Sequence, residues 1–201
     1  YKVKNEVSLN NKTQNGISYN WSFGDKSVSV LQNPKYKYTK PGEYEITLLA
    51  SNKNSVGSAQ QTVSIEGIDR IQPVAAGNHG FSTLEVYGGG LATQNTSFFL
   101  RKTGAANLEG SNLKSTSAGV LSAMFNLTDA QLGKWDVVVK TGSAEQVLPQ
   151  AFEVTAAEAP DVWSTFSGRS AVLKNRWTTF TLTCGNSSNA DAYAVPVWFA
   201  I

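Results

Sequence analysis

The sequence predicts an all-β protein built as β-sandwiches in tandem. Three observations predict this class: short runs in which apolar and polar residues alternate, Gly or Asn between most runs, and a composition rich in Ser, Thr, Asn and Gly. Alternation with a period of two places one face of a strand in a core and the other in water. Repeated short strands separated by turn residues are typical of stacked sandwiches rather than βαβ units.

The strand signals recur along most of the chain. In Glu43–Leu49 the side chains of Tyr44, Ile46 and Leu48 alternate with polar ones, and Gln61–Ile65 repeats the pattern. Further strands are predicted at Thr83–Tyr87, Thr96–Arg101, Gly119–Phe125, Trp135–Lys140 and Ala151–Thr155. A single helical turn is predicted at Thr128–Leu132, with Thr128 as its cap.

Composition excludes several classes of protein. Hydrophobic residues make up 41% of the 201 residues, which is enough for packed cores and excludes wholesale disorder. The net charge of +2 is too small for non-specific binding to a polyanion, so no nucleic-acid partner is expected. One Cys and one His exclude a disulfide scaffold and a zinc site of Cys and His. No apolar stretch approaches the ~20 residues of a membrane helix.

Two boundaries divide the chain into three predicted parts. Glu66–Gly67 directly follows a strand, and 156–160 is a linker of small residues that ends in Pro160. The predicted parts are residues 1–66, 67–156 and 157–201. The apolar run at the C-terminal end predicts that the sequence is a piece of a longer chain.

The first part carries a recognisable set of motifs. An alternating aromatic run enters a Gly-Asp turn, and a later Pro-Gly pair separates two strand-like runs. With this spacing the part resembles the PKD (polycystic kidney disease) repeat. The matching residues are Trp21, Phe23, Gly24, Asp25, Pro34, Tyr38, Pro41, Gly42, Tyr44, Ile46, Leu48 and Asn52.

The PKD resemblance implies an immunoglobulin-like sandwich with an extracellular spacer or recognition role. Some members of the family bind calcium through acidic turn residues, which makes Asp25 a calcium candidate. Ser22 stands where the family usually has Asp, and this departure weakens the calcium interpretation. Trp21 is predicted to pack in the core.

The second part is similar to the IPT/TIG immunoglobulin-like module. The similarity rests on an I-x-x-I-x-P entry from Ile68, a V-x-G-x-G-L segment from Val86, a G-x-W-D-V-x-V strand from Gly133 and a final A-F-x-V from Ala151. It implies another non-catalytic sandwich. Gly88–Gly90 lacks the spaced frame of a phosphate-binding loop, so a backbone turn is predicted there.

The third part is too short to form an independent core. Its Asn-rich stretch after Cys184 resembles a turn of repeat-type adhesion sandwiches in bacterial surface proteins. Asn186, Asn189 and Asp191 are calcium candidates, since calcium takes oxygen ligands, but Asn and Asp also form plain turns. The apolar run Ala194–Ile201 predicts packing on the second part or pairing with another copy in a homodimer.

Three tryptophans and the cysteine of the third part have two interpretations each. Trp163, Trp177 and Trp198 can bind carbohydrate if they are exposed in a row, or they can pack in a core. Cys184 lies in a predicted strand and is expected to be a small buried hydrophobe rather than a nucleophile.

No motif singles out a catalytic or cofactor-binding residue, so the chain is not expected to be an enzyme. The predicted function is a non-catalytic extracellular module array of a large surface or secreted protein. Such an array acts as a spacer and in adhesion or the binding of protein or carbohydrate. The scarcity of Cys favours a bacterial or archaeal surface. The alternative is an accessory region of a secreted enzyme that degrades polysaccharide or protein.

Overall fold

The computed structural model of the chain describes residues 1–171, 174–189, 192 and 195. Every regular element among them is a β-strand, which confirms the predicted class, and no long apolar helix of the kind that crosses a bilayer occurs in these residues. The strands are β1 (Glu6–Ser8), β2 (Ser18–Ser22), β3 (Val28–Ser29), β4 (Lys35–Lys37), β5 (Gly42–Ser51), β6 (Val56–Ile65), β7 (Gly67–Gln72), β8 (Ala75–Gly77), β9 (Phe81–Gly89), β10 (Thr96–Arg101), β11 (Leu108–Glu109), β12 (Ser111–Ser117), β13 (Val120–Asn126), β14 (Gly133–Thr141), β15 (Ala144–Thr155), β16 (Val162–Ser167) and β17 (Thr181–Asn186).

The first module pairs a four-stranded sheet, in the order β3-β2-β5-β6, with the two-stranded sheet β1-β4. Its core follows the predicted alternation of β5, because Ile46, Leu48 and Ala50 are buried while Glu45 and Leu49 face solvent. Trp21 is only 7% exposed, as predicted, and its indole N–H donates to the carbonyl of Leu31.

Aromatic rings bind the turn of the first module to its core. The Phe23 and Tyr36 rings stack at 4.1 Å, and Tyr38 meets Tyr36 edge-on at 4.9 Å and stacks with Tyr44 at 4.2 Å. The buried Tyr38 hydroxyl donates to the carbonyl of Phe23. Burial, aided by the nearby Asp25 carboxylate, raises the pKa of Tyr38 far above its usual range, so the hydroxyl stays a donor.

The second module is a fuller sandwich. A five-stranded sheet, β11-β10-β14-β15-β8, packs on a four-stranded sheet, β12-β13-β9-β7, and only β15 and β8 pair in parallel. Trp135, Phe98, Phe125 and Phe152 fill the space between the sheets, each no more than 1% exposed. This core has about twice as many buried hydrophobic residues as the first one.

The third unit, in the part that the structure describes, is the antiparallel hairpin β16–β17. Its six residues per strand are largely exposed on both faces. A two-stranded hairpin is at best marginally stable alone, so this unit depends on further contacts.

Two local predictions are wrong. Thr128–Leu132 contains no helix; the carbonyl of Leu127 accepts from the amide of Ala130 in a tight turn, with Asp129 in the left-handed region. Cys184 does lie in a strand, but it is exposed, because β17 has no second layer over it among the described residues. The three-part division stays a prediction, although the two cores lie on either side of Glu66.

Candidate functional site

The first joint, defined here as residues 42, 43, 65–67 and 88–90, connects the two sandwiches. Glu66 is the only residue between β6 and β7, so the chain leaves one sheet and enters the next without a linker. The amide of Glu66 donates to the carbonyl of Tyr1 at 2.6 Å, and Lys2 forms a parallel bridge with Glu66. Glu66 is therefore bonded in strand fashion to the N-terminal residues of the chain.

The Glu43 side chain crosses the first joint. Its Oε1 accepts from the Ser64 hydroxyl at 2.7 Å and from the amide of Gly90 at 3.0 Å. A Cβ at Gly119, in the β12–β13 turn, would lie 3.1 Å from Cγ of Glu43. One carboxylate thus links the first module to the Gly90 segment of the second, and charge-assisted bonds of this kind are stronger than neutral ones.

Gly89 lets the two backbones meet at the first joint. A Cβ at Gly89 would overlap the carbonyl oxygen of Ile65 and lie 2.6 Å from that of Gly42. A similar Cβ at Gly67 would lie 2.8 Å from Cγ of Pro41. The carbonyls that face Gly89 are backbone atoms, which cannot move aside as the end of a side chain can, so only glycine permits the approach at that position.

The second joint, defined as residues 77, 78, 155–158 and 189, holds the third unit to the second module. Asn189 uses nearly all of its polar atoms there. Its carbonyl accepts from the amide of Gly77 at 2.7 Å and its Oδ1 from that of Glu158 at 2.8 Å. Its Nδ2 donates to Thr155 Oγ1 at 2.9 Å and to the carbonyl of Ala156 at 2.7 Å.

Asn78 adds a second amide side chain to this joint. Its Oδ1 accepts from the amide of Ala157 at 3.0 Å, and its own amide donates to the carbonyl of Thr155 at 2.9 Å. The predicted linker 156–160 is therefore tied to the second module at its first residues.

Asp25, the calcium candidate of the first module, accepts hydrogen bonds from nearby residues of the same module. Its carboxylate accepts from the amide of Ser27 at 3.0 Å and from the Tyr36 hydroxyl at 2.7 Å. Burial pushes the pKa of Asp25 upward, but the hydrogen bonds from Tyr36 and Ser27 outweigh it and hold the pKa below its usual range. The carboxylate is thus a structural acceptor that stays charged.

The other calcium candidates lie apart from Asp25, in the third unit. Asn186 Oδ1 accepts from the amides of Asp161 and Ser188, and Asn189 belongs to the second joint. Asp191 lies outside the described residues. In the part of the chain that is described, no three His, Cys, Asp or Glu residues stand close enough to hold a metal ion. Calcium binding stays a prediction.

The tryptophan candidates differ in their surroundings. Trp177 is fully exposed and lines a shallow cavity together with Arg169 and Arg176. Trp163 is 43% exposed, with its indole lying against Gly185. Trp198 lies outside the described residues. Neither described ring packs in a core. The binding of carbohydrate or protein by these tryptophans stays a prediction.

The first module also has a groove of about 490 Å³ between the segment 9–13 and the inner face of β5–β6. Trp21, Ile46 and Leu48 form its floor, and Asn11 lies at its rim. The Nδ2 of Asn11 is buried and has no hydrogen-bond partner among the described residues. The smaller of the two cores is therefore also the less completely enclosed.

Comparison with known proteins identifies the first module. Residues 2–67 match the family model of the PKD domain. This match covers the first sandwich and ends at the first joint. It confirms the PKD resemblance and, with the strand arrangement, the immunoglobulin-like sandwich. The IPT/TIG resemblance of the second module and the surface-repeat resemblance of the third unit stay predictions.

Among curated proteins, the chain is similar to the pre-pro-metalloprotease PrtV of Vibrio cholerae serotype O1, in strains M66-2 and ATCC 39315 / El Tor Inaba N16961. The identity is 30% over 78 residues, which is 38% of this chain and 8% of the protease. The chain thus matches less than a tenth of that relative's length. PKD domains are typically accessory, non-catalytic modules, and residues 2–67 match that family model.

Sequence reasoning singled out several residues of both joints but missed their role in joining the units. In the sequence Glu43 is one more polar residue on the solvent face of a strand, and the pattern of Gly88–Gly90 predicts a turn. In the structure Gly88 and Gly89 end β9, and only Gly90 follows the strand, with a φ of 71°. The only available signal was three glycines at the end of an alternating strand, which also marks close approach of another backbone.

Proposed function

We propose that this chain is a non-catalytic extracellular module array that holds other parts of a larger protein at a fixed spacing. The observation that carries the proposal is the first joint, in which a single residue, Glu66, separates β6 from β7 and in which Glu43 and Gly89 contact the neighbouring module. Modules joined by long polar linkers move independently, whereas close backbone packing restricts such motion. A cell-surface or secreted location is supported by the PKD match.

Nuclear relaxation of backbone amides tests this proposal. We expect the amides of the first and second modules to report one shared rotational correlation time. In Gly89→Val, the added side chain overlaps the carbonyl of Ile65 and we expect the two modules to report separate, shorter times. Gly57→Val, where a Cβ meets nothing within 4 Å, is the matched control. Separate times in the unmodified chain would contradict a spacer with a fixed joint.

An accessory role in a secreted, protein-degrading enzyme is the second candidate. The similarity to a metalloprotease over 78 residues favours it. In this role the array positions or recruits substrate for a catalytic domain elsewhere in the same longer protein. Pull-down of denatured and native protein substrates by the chain tests it: retention favours the accessory role, and no retention of any substrate favours the plain spacer.

Ligand binding by the array is supported by the surroundings of Trp177. A fully exposed indole in a cavity that two arginines also line is suited to stack on a sugar ring or to bury an aromatic contact with a protein. Titration with a panel of polysaccharides, followed by tryptophan fluorescence, tests this function. Binding that Trp177→Ala abolishes and Trp163→Ala preserves assigns it to this loop.

Calcium binding at Asp25 or at the loop from Asn186 is tested separately, by melting the chain with calcium and then with chelator. A rise in melting temperature with calcium supports a metal site. Identical melting curves support the plain-turn interpretation of both loops, in which the side-chain oxygens accept hydrogen bonds from nearby amides.

A further inference from the structure

β6 is the outer strand of its sheet, and its free edge has the features that allow another strand to pair with it. Its strand partner among the described residues is β5 alone, and the register between the two runs without a shift along their whole length. The ten residues of β6, V-G-S-A-Q-Q-T-V-S-I, include no charged side chain and no proline. An exposed edge that is long, regular and uncharged is a template for strand addition.

The other edge strands of the two modules are protected. β3 and β11 have two residues each, and β1, β4 and β8 have three each. β12 carries Lys114 and has two shifts in its register with β13, and β7 carries Asp69 and Arg70 at a shift in its register with β9. Short strands, charged side chains and bulges are the means by which proteins block edge pairing. β6 has none of them.

One end of this edge already pairs with a piece of extended backbone. The backbone nitrogen of Tyr1 donates to the carbonyl of Ser64 at 2.9 Å, and the amide of Glu66 donates to the carbonyl of Tyr1 at 2.6 Å. Lys2 forms a parallel bridge with Glu66. The N-terminal residues of the chain therefore lie along the last part of the edge, where an extended backbone fits.

The rest of the edge is open. All residues from Val56 to Thr62 are exposed. Backbone groups alternate in direction along a strand, so those of Ser58, Gln60 and Thr62 point to the side on which Tyr1 pairs. Among the described residues, the hydrogen bond made to these groups is that of the Gln61 side chain, which donates to the carbonyl of Thr62 at 3.1 Å. The open stretch accommodates a strand of about seven residues, or roughly 23 Å.

The groove of the first module adjoins this edge on the inner face of the sheet. Its lining includes Ala59, Gln61 and Val63 from β6, next to Ile46 and Leu48 from β5. A strand added to β6 would place every second side chain on that face, over the groove. Apolar side chains there would extend the core of the first module, while the alternate side chains would face solvent. The groove therefore favours a segment in which apolar and polar residues alternate.

We propose that the edge of β6 binds an extended polypeptide segment as an added strand, with alternate apolar side chains over the groove. In this mode of recognition, main-chain hydrogen bonds give affinity and pockets for alternate side chains give specificity. Unfolded protein substrates contain such segments, so the site gives the accessory role proposed above its class of substrate and rests on that role. The β6 strand of a second copy could pair over its full length only by displacing Tyr1 and Lys2.

Gln60→Pro tests the site without disturbing the ladder to β5. Proline removes the outward amide of residue 60 and places its ring on the free edge, where edge strands accept it. Gln60→Ala keeps the amide and is the matched control. The probe is a labelled peptide of about eight residues that alternates valine and threonine, with a lysine at each end. We expect fluorescence anisotropy to show about tenfold weaker binding for Gln60→Pro and unchanged binding for Gln60→Ala.

Hydrogen exchange in the unmodified chain is a second measurement, which needs no variant. The peptide should slow exchange at the outward amides of Ser58, Gln60 and Thr62. The amides of Ala59 and Gln61 face β5 already and should change little. The same peptide methylated at every backbone amide keeps its side chains and loses its donors, so we expect it neither to bind nor to slow exchange.

Equal binding by the two variants at residue 60, or by the methylated peptide, would overturn strand addition at β6 and leave substrate recruitment to another surface. Absence of peptide binding by the unmodified chain would overturn it as well and leave the plain spacer. Slow exchange of the same amides without peptide, increasing with chain concentration, would assign the edge to a second copy. That homodimer would differ from the one predicted through Ala194–Ile201, a segment that lies outside the described residues except for Val195.

Discussion

The two joints of this molecule fasten neighbouring units by different means. The first uses backbone against backbone: Gly89 approaches the carbonyls of Gly42 and Ile65, and Glu43 adds one charged acceptor. The second uses mainly Asn189, whose neutral side-chain amide serves three partners and whose backbone carbonyl serves a fourth. The first resists bending by steric contact. The second resists separation mainly by hydrogen bonds, although a Cβ at Gly77 would also lie 2.9 Å from Cα of Ala157.

The two joints therefore differ in what is needed to open them. Steric contact between backbones persists as long as both modules are folded, and each module has its own core. Hydrogen bonds near the surface compete with water and contribute about 0.5–1.5 kcal/mol each. We therefore expect the first joint to open only when a module unfolds, and the second to open locally.

The largest expected effect comes from Gly89→Ala. Its Cβ meets two backbone carbonyls, so the sheets must shift, and overpacking of this kind costs about 1–3 kcal/mol. Denaturant unfolding measures the loss. Gly57→Ala, where the Cβ has open space in β6, is expected to leave the free energy of unfolding within about 0.5 kcal/mol. Equal effects of the two substitutions would contradict the claim that steric contact at Gly89 holds the first joint.

Asn189→Ala is expected to have the second-largest effect, and to have it only at the second joint. It removes the side-chain bonds to Thr155, Ala156 and Glu158, which lowers the free energy of opening the second joint by about 1–2 kcal/mol. Hydrogen exchange at the amides of Gly77 and Glu158 measures this change. Asn107→Ala, an exposed loop position, is the control and should change neither amide. Global destabilisation of the second module by Asn189→Ala would show that the joint is not a local feature.

Glu43→Ala is expected to be milder, because the joint it crosses is also held by backbone contact. Loss of its bonds to Gly90 and Ser64 should cost about 1 kcal/mol. Glu45→Ala, one exposed residue of the same strand, is the control. A loss as large as that of Gly89→Ala would mean that the carboxylate, not the backbone packing, holds the modules together.

The smallest expected effect is the response to acid. Since the pKa of Asp25 is lowered in the folded state, its contribution to stability is present above about pH 3.8 and is lost as the pH falls through its folded pKa. Tyr36→Phe removes a hydrogen bond that lowers this pKa. We expect the substitution to flatten the fall in stability of the first module between pH 4 and pH 2, measured by denaturant unfolding. An unchanged acid slope would contradict the role given to Tyr36.

Much of the fold follows from local sequence patterns. The alternation in Glu43–Leu49 and the aromatic run ending at Phe23 correctly predict which side chains enter the first core. Period-two patterns succeed because the face of a strand is decided by its own residues. The predicted helical turn at Thr128–Leu132 is wrong because five residues also fit a tight turn, and tertiary bonds such as that from Gly80 to Thr128 decide between the two.

The joints could not be predicted because they depend on contacts between residues distant in sequence. Glu43 and Gly90 are 47 residues apart, and Asn189 meets Thr155 across 34 residues. No periodicity encodes such pairs. The burial expected for Cys184 failed for a related reason, since a strand in isolation does not reveal whether a second layer covers it.

The width of a distance distribution between the two modules tests the central claim most directly. Spin labels at Ser58→Cys in β6 and Lys134→Cys in β14, with Cys184→Ser, report it by pulsed electron resonance. A pair within the second module, Lys114→Cys and Lys134→Cys, gives the reference width. A fixed first joint predicts one peak as narrow as the reference. A broad or multiple distribution would show that the modules move independently and would contradict the account.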